Sequence, residues 1–385
     1  MGWRRIVLGF GPPWFAVTMG TGIVAILLFL IPFHDSWLYY LSIIFFILNT
    51  FLFALGTILT VLRYMLYPRV WPVMLRDPVD PLFLATCPIG FATLIEMWIF
   101  ICVPIWGRWA TVLAWVAWMI DTAFSVVITV SIAFLLLCQN HTTSLDKITA
   151  VQLVPIAATI VAAGVGAEVS AVLPNLKHMR GTIIASYLLW SLSMSMAMMI
   201  LVIYYQRLIL HKLPPKQLAM SSFLTLGPVG FGGFGIMYLG KVSLTAFHKN
   251  NTIHPMVGDV AYILGIMVAL ALWGFSLLWL IFSFATAIRS WPIPFNMGWW
   301  ATTFPFGVFC VNTIQLGVEL SSMFFKVMGT IFSTMVILLW VVVSLGTIRE
   351  VYRGHVFNVP YLEDIFSEDD RNDSIDLETV SGSTC

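Results

Sequence analysis

The sequence predicts an all-α membrane protein: ten transmembrane helices forming five helical hairpins with pseudo-five-fold symmetry, the kinked odd-numbered helices lining a central pore. Three observations carry this expectation. Of 385 residues, 60% are hydrophobic and only 10% charged, whereas a soluble domain covers its surface with about 25% charged residues. Ten apolar stretches reach the roughly 20 residues needed to cross the hydrocarbon core. A proline recurs inside every second stretch. A net charge of +1 and five scattered cysteines exclude a nucleic-acid binder and a disulfide scaffold.

The spans fall near residues 12–33, 37–66, 81–105, 110–138, 151–173, 180–208, 218–240, 257–287, 297–318 and 322–348. The first follows Arg4 and Arg5 like a signal peptide, but it contains Pro12 and Pro13, runs too long and leads straight into a second span, so it reads as a retained helix. With the N-terminus inside, thirteen Lys and Arg residues lie in inner loops and six in outer ones. That bias places both termini in the cytosol. The Asn250-Asn251-Thr252 sequon then falls outside, where Asn250 is open to glycosylation. Residues 1–362 form the membrane domain, with 18 basic against 10 acidic residues; residues 363–385 hold eight acidic residues against Arg371 and read as a disordered acidic cytosolic tail.

Pro13, Pro88, Pro155, Pro228 and Pro305 fall in spans one, three, five, seven and nine, separated by 75, 67, 73 and 77 residues. That spacing is a repeat of one hairpin, five times over. Proline removes a backbone donor and kinks a helix. Freed backbone groups are tolerated in a membrane where they face protein or a water-filled cavity. Five such helices in register imply an inner ring around a path, with the even spans outside.

Five segments add specificity. They are Gly11-Pro12-Pro13-Trp14-Phe15-Ala16-Val17-Thr18-Met19-Gly20-Thr21-Gly22, Pro88-Ile89-Gly90-Phe91-Ala92-Thr93, Leu210-His211-Lys212-Leu213-Pro214-Pro215-Lys216, Gly227-Pro228-Val229-Gly230-Phe231-Gly232-Gly233-Phe234-Gly235-Ile236-Met237 and Gly298-Trp299-Trp300-Ala301-Thr302-Thr303-Phe304-Pro305-Phe306-Gly307-Val308-Phe309. Together they resemble the superfamily of bacterial tellurite-resistance proteins, plant guard-cell slow anion channels and fungal malic acid and sulfite transporters, and within it the fungal sulfite efflux pumps. The resemblance implies a pore through each protomer, a homotrimer, a plasma-membrane location and sulfite as substrate. It also implies an aromatic gate on the ninth helix, best matched by Phe304, with Phe306 and Phe309 close enough to compete. Two residues depart from the pumps' pattern: Phe231 stands where they carry Gln, and Glu96 where they carry Asn. Asp121 matches an Asp of the pumps.

Ionisable residues inside a bilayer are functional candidates by default. Glu96, Asp121 and Glu168 are the candidates here, Glu96 and Asp121 being possible protonation sites; Asp121, on an outer span, is expected to hold that span to the ring. No Lys, Arg or His stands in the middle of an inner span, so the path is expected to bind anions weakly. Thr18, Thr93, Thr303, Asn312 and Gln315 offer neutral donors on those spans. Trp299 and Trp300 suit an interfacial belt. The sequence has no Walker-type phosphate loop and no metal-ligand cluster, so neither enzyme chemistry, cofactor nor metal is expected. Sulfite export is the leading expectation. A C4-dicarboxylate transporter or nitrate or chloride channel is the alternative within the class, and a membrane scaffold or receptor the alternative outside it.

Overall fold

The computed structural model describes residues 3–138, 144–248 and 254–354. The Asn250 sequon and the acidic segment 363–385 lie outside the described residues. Every regular element among the described residues is helical. The ten long helices are α1 (Phe15–Leu30), α2 (Ser36–Leu66), α3 (Thr86–Trp106), α4 (Arg108–Cys138), α5 (Val154–Val172), α6 (Leu176–His211), α7 (Leu226–His248), α8 (Val257–Ser290), α9 (Thr303–Glu319) and α10 (Met323–Arg353). Two short helices, Trp3–Gly9 and Val70–Arg76, were not legible in the hydropathy.

The odd helices form a closed ring: α1 packs on α3, α3 on α5, α5 on α7, α7 on α9, and α9 back on α1. Each even helix lies against its own odd partner and against the next odd helix. In the most apolar eighteen residues of each span, between 56% and 94% are buried in the odd spans but only 11% to 33% in the even ones. The even helices, 31 to 36 residues long, turn residues such as Ile47, Phe51, Phe124, Leu188, Met267 and Leu338 outward. At 1.5 Å per residue they run about 45–55 Å, enough to cross a bilayer with tilt. α5 is rich in alanine, valine and glycine, and nearly its whole surface faces protein.

The prolines do something other than kink a helix midway. Each odd span opens with a 3-10 segment (Pro12–Trp14, Asp80–Ala85, Ala150–Leu153, Lys216–Thr225 and Met297–Thr302) that passes directly into the α-helix. Pro13 lies in the first of these segments; Pro88, Pro155, Pro228 and Pro305 stand second or third in their α-helices. In a first turn the missing N–H had no intrahelical partner and the fixed φ already suits a helix. The repeat therefore marks five helix starts at one end of the ring.

A second five-part pattern ties the layers together. Each even helix sends at least one side-chain donor to the odd helix of the following hairpin. Asn49 Nδ2 reaches Thr93 Oγ1 at 3.0 Å, Trp118 Nε1 the Ala162 carbonyl at 2.8 Å and Trp190 Nε1 the Gly232 carbonyl at 2.8 Å. Trp273 Nε1 reaches Thr313 Oγ1 at 2.9 Å, and Trp340 Nε1 closes the circle on Thr21 Oγ1 at 3.1 Å. An indole N–H at membrane depth has no water to turn to, so it takes a partner in the protein. Trp300 is also no belt residue: it is buried, donating to Thr347 Oγ1 at 2.9 Å.

Candidate functional site

The ring interior follows from which faces of each odd helix are already occupied. On a helix advancing about 100° per residue, α9 meets α1 through Thr303, packed against Gly20, and Gly307, packed against Ile23. It meets α7 through Phe309, against Gly230, and Asn312, against Gly233. Phe306 turns to the outer layer, with ring centroids 5.9 Å from Phe284 and 5.8 Å from Phe332; Phe309 lies 5.8 Å from Trp273 and 5.6 Å from Phe332. The arc left over, Phe304, Val308, Val311 and Gln315, faces the interior. Phe304 is buried and, among the described residues, stacks on no other ring. Of the three competing phenylalanines it alone is free of the outer layer.

The same reasoning places the other strips. On α7, Gly230 and Gly233 face α9, Gly232 faces α6, and Gly240 faces α8, which leaves Phe234, Tyr238 and Lys241 inward. Phe231 sits at the edge of that strip, its ring lying over Gly164 of α5 and 5.1 Å from Phe234. Any Cβ at position 164 would overlap the ring, so the bulk of Phe231 is accommodated by a glycine opposite. On α5, Thr159 and Gly166 face the outer helices, and Glu168 points the opposite way. On α3, Trp98 bonds outward to the Ala110 carbonyl, and Glu96, two residues away, takes the inward side.

The predicted neutral donors divide. Thr18 donates to the Phe15 carbonyl at 2.7 Å, Thr93 to the Gly90 carbonyl at 2.8 Å and Thr303 to the Trp300 carbonyl at 2.9 Å. All three hydroxyls are committed to their own helices and pack at helix–helix contacts. Asn312 is fully buried, and among the described residues neither its Nδ2 nor its Oδ1 has a hydrogen-bond partner. Gln315 donates to Glu319 Oε1 at 2.8 Å. Asp121 lies within electrostatic range of Cys87 of α3, and among the described residues neither of its carboxylate oxygens has a hydrogen-bond partner.

The two ends of the ring differ. At the end where the odd helices start, a cavity of about 310 Å³ is bordered by all five spans, through Pro13, Thr86, Val154, Ser221 and Pro305 among others, and among the described residues no Asp, Glu, Lys or Arg borders it. Five helix N-termini surround it. The 3-10 segments pair the first N–H group of each α-helix, and what each start presents to the cavity is the positive end of its dipole, which favours anions. Larger apolar grooves of about 640 and 670 Å³ open between α2 and α4 on the outer face, away from this axis.

Toward the opposite end, Glu96 and Glu168 lie within electrostatic range of each other and of Tyr238; among the described residues Glu96 Oε1 and Glu168 Oε2 have no hydrogen-bond partner. Beyond them Lys241 Nζ pairs with Glu319 Oε1 at 2.7 Å. The seventh span was expected to stop at 240, with Lys241 in a loop; α7 instead runs on to His248 and carries Lys241 inside the ring. The signal was in the repeat: Lys241 and Glu319 stand 13 and 14 residues beyond their prolines, hence at similar height.

Ten membrane-length helices around a proline-marked ring, with an uncharged mouth ringed by helix N-termini, define a membrane channel or transporter for anions. Residues 9–348 match the voltage-dependent anion channel family, and the chain belongs to that family. It is 44% identical to the sulfite efflux pump SSU1 of Arthroderma benhamiae and of Trichophyton rubrum, over 91% of this chain and 93% of each relative. It is 24% identical to the malic acid transport protein of Schizosaccharomyces pombe, over 87% of this chain and 77% of that protein.

Proposed function

We propose that this protein exports sulfite through the ring, entering at the helix-start end and leaving past Glu319. The observation that carries the reading is the uncharged cavity bordered by five parallel helix starts. Helix ends attract an anion without the tight grip of an ion pair, which suits an ion that must leave as easily as it enters. The 44% identity to sulfite efflux pumps, against 24% to a malic acid transporter, supports sulfite over a C4 dianion. So does the lack of a Lys or Arg at the cavity, since two carboxylates call for paired cations.

The Lys and Arg bias supports placing the helix-start end in the cytosol of a plasma-membrane protein with both termini inside. Phe304 serves as the gate, a ring that plugs an apolar constriction sterically and by dewetting. The protomers assemble as a homotrimer, each with its own path. Export needs no ATP, because expelling one anion from a negative interior gains about 2.3 kcal/mol per 100 mV, roughly a 50-fold gradient. The test is competition flux in protein-only vesicles offered sulfite, malate, nitrate and chloride. Sulfite is expected to pass and malate to be excluded; malate passing faster than sulfite would overturn the substrate assignment.

A further inference from the structure

Three donors from three helices converge on the carboxylate of Glu319 at the far end of the ring. Lys241 of α7 reaches Oε1 at 2.7 Å, Gln315 of α9 reaches the same oxygen at 2.8 Å, and the Tyr262 hydroxyl of α8 reaches Oε2 at 2.9 Å. A cation, an amide and a phenol are the groups that hold a small oxyanion, because each oxygen of the guest gains at least one charge-assisted or strong neutral donor. Lys241 is the only Lys or Arg in the five inner α-helices. Its amine also lies 5.8 Å from the Tyr238 ring, which turns inward. Gln315 belongs to the same strip as Phe304, eleven residues or about 16 Å further along. The Lys241 side chain is 44% exposed and that of Glu319 only 6%. The carboxylate half of the pair is buried and takes all three donors, while the lysine half stays open to water and to an arriving anion.

We infer that Lys241, Tyr262 and Gln315 form an exit site for a small oxyanion, held in this structure by the Glu319 carboxylate as a tethered stand-in for the guest. An anion arriving from the ring displaces the carboxylate and takes its three donors. The carboxylate's return expels the anion to the outside. The ligand class rests on the export reading, since the anion is the one the ring delivers.

The experiment is calorimetric titration of sulfite into the purified full-length protein, with melting temperature followed in parallel. Glu319→Gln is expected to tighten sulfite binding about ten-fold, because the competing charge is gone, and Lys241→Gln to weaken it about ten-fold. A mere staple moves both variants the same way or neither, and that result overturns the site. Tyr262→Phe leaves the ion pair intact and is expected to weaken binding about three-fold. If a charge variant does not fold, Tyr262→Phe decides, and unchanged affinity there overturns the site. Opposite shifts in Glu319→Gln and Lys241→Gln, in a protein whose vesicles pass no sulfite, would end the export reading and leave the site standing.

Discussion

The two ends of the inner ring are built from the same five helices and have opposite electrostatic character. One end gathers five helix starts around a cavity that no charged side chain borders among the described residues; the other gathers Glu96, Glu168 and Glu319, with Lys241 bound to the last of them. The cause is the hairpin repeat. Because only alternate spans enter the ring, all five inner helices run the same way and their dipoles add. A bundle of neighbouring antiparallel helices would cancel them. The carboxylates then deepen at one end the asymmetry that the backbone creates.

The largest expected effect breaks the comparison at its narrowest point. Phe304→Ala removes the one α9 phenylalanine that faces the interior, and anion conductance per folded protein is expected to rise about ten-fold as the plug opens. Phe306→Ala and Phe309→Ala remove outward core rings and should instead cost about 3–5 kcal/mol each, read as lost folded protein. A Phe304→Ala protein that folds and conducts like wild type would move the gate off α9.

Next in size is the field at the carboxylate end. Glu96→Gln combined with Glu168→Gln removes both inward carboxylates. Wild-type anion current is expected to fall as pH rises, since ionised carboxylates repel the permeant ion. The double variant should conduct several-fold more at high pH, with a flat profile. An unaltered pH dependence in planar bilayers would assign both residues to packing alone.

A smaller effect tests how closely the ring is packed. Gly230 approaches the backbone of Phe309, so a Cβ at 230 would lie 3.0 Å from its amide nitrogen. Gly230→Ala is expected to cost about 1–3 kcal/mol through overpacking, measured as a lower melting temperature. The smallest effect concerns the outer layer. Trp340→Phe keeps the ring contacts but loses the N–H to Thr21, and about 1 kcal/mol of stability should go with it while conductance stays unchanged.

The sequence revealed the ten spans and the five-fold repeat because membrane length and a recurring proline are strong, local signals. It misjudged what the prolines do, since hydropathy carries no information on where a 3-10 turn becomes an α-helix. Asn312 and Phe304 were singled out on the ninth span, but separating Phe304 from Phe306 and Phe309 required knowing that Phe284, Phe332 and Trp273 fill the outer side. Thr18 and Thr93 look like pore donors until Gly90 and Gly22 are seen packed against them. The tryptophans that bind the layers were hidden among 16 of their kind. Lys241 was missed because a lysine near a span end reads as a loop charge.

The most direct test of the parallel-helix account is the reversal potential of purified protein in a planar bilayer under a sulfite gradient, with no nucleotide present. The account predicts a potential near the anion equilibrium value and outward sulfite flux that grows as the helix-start side is made more negative. A cation-selective potential, or flux that ignores voltage and requires ATP, would contradict it.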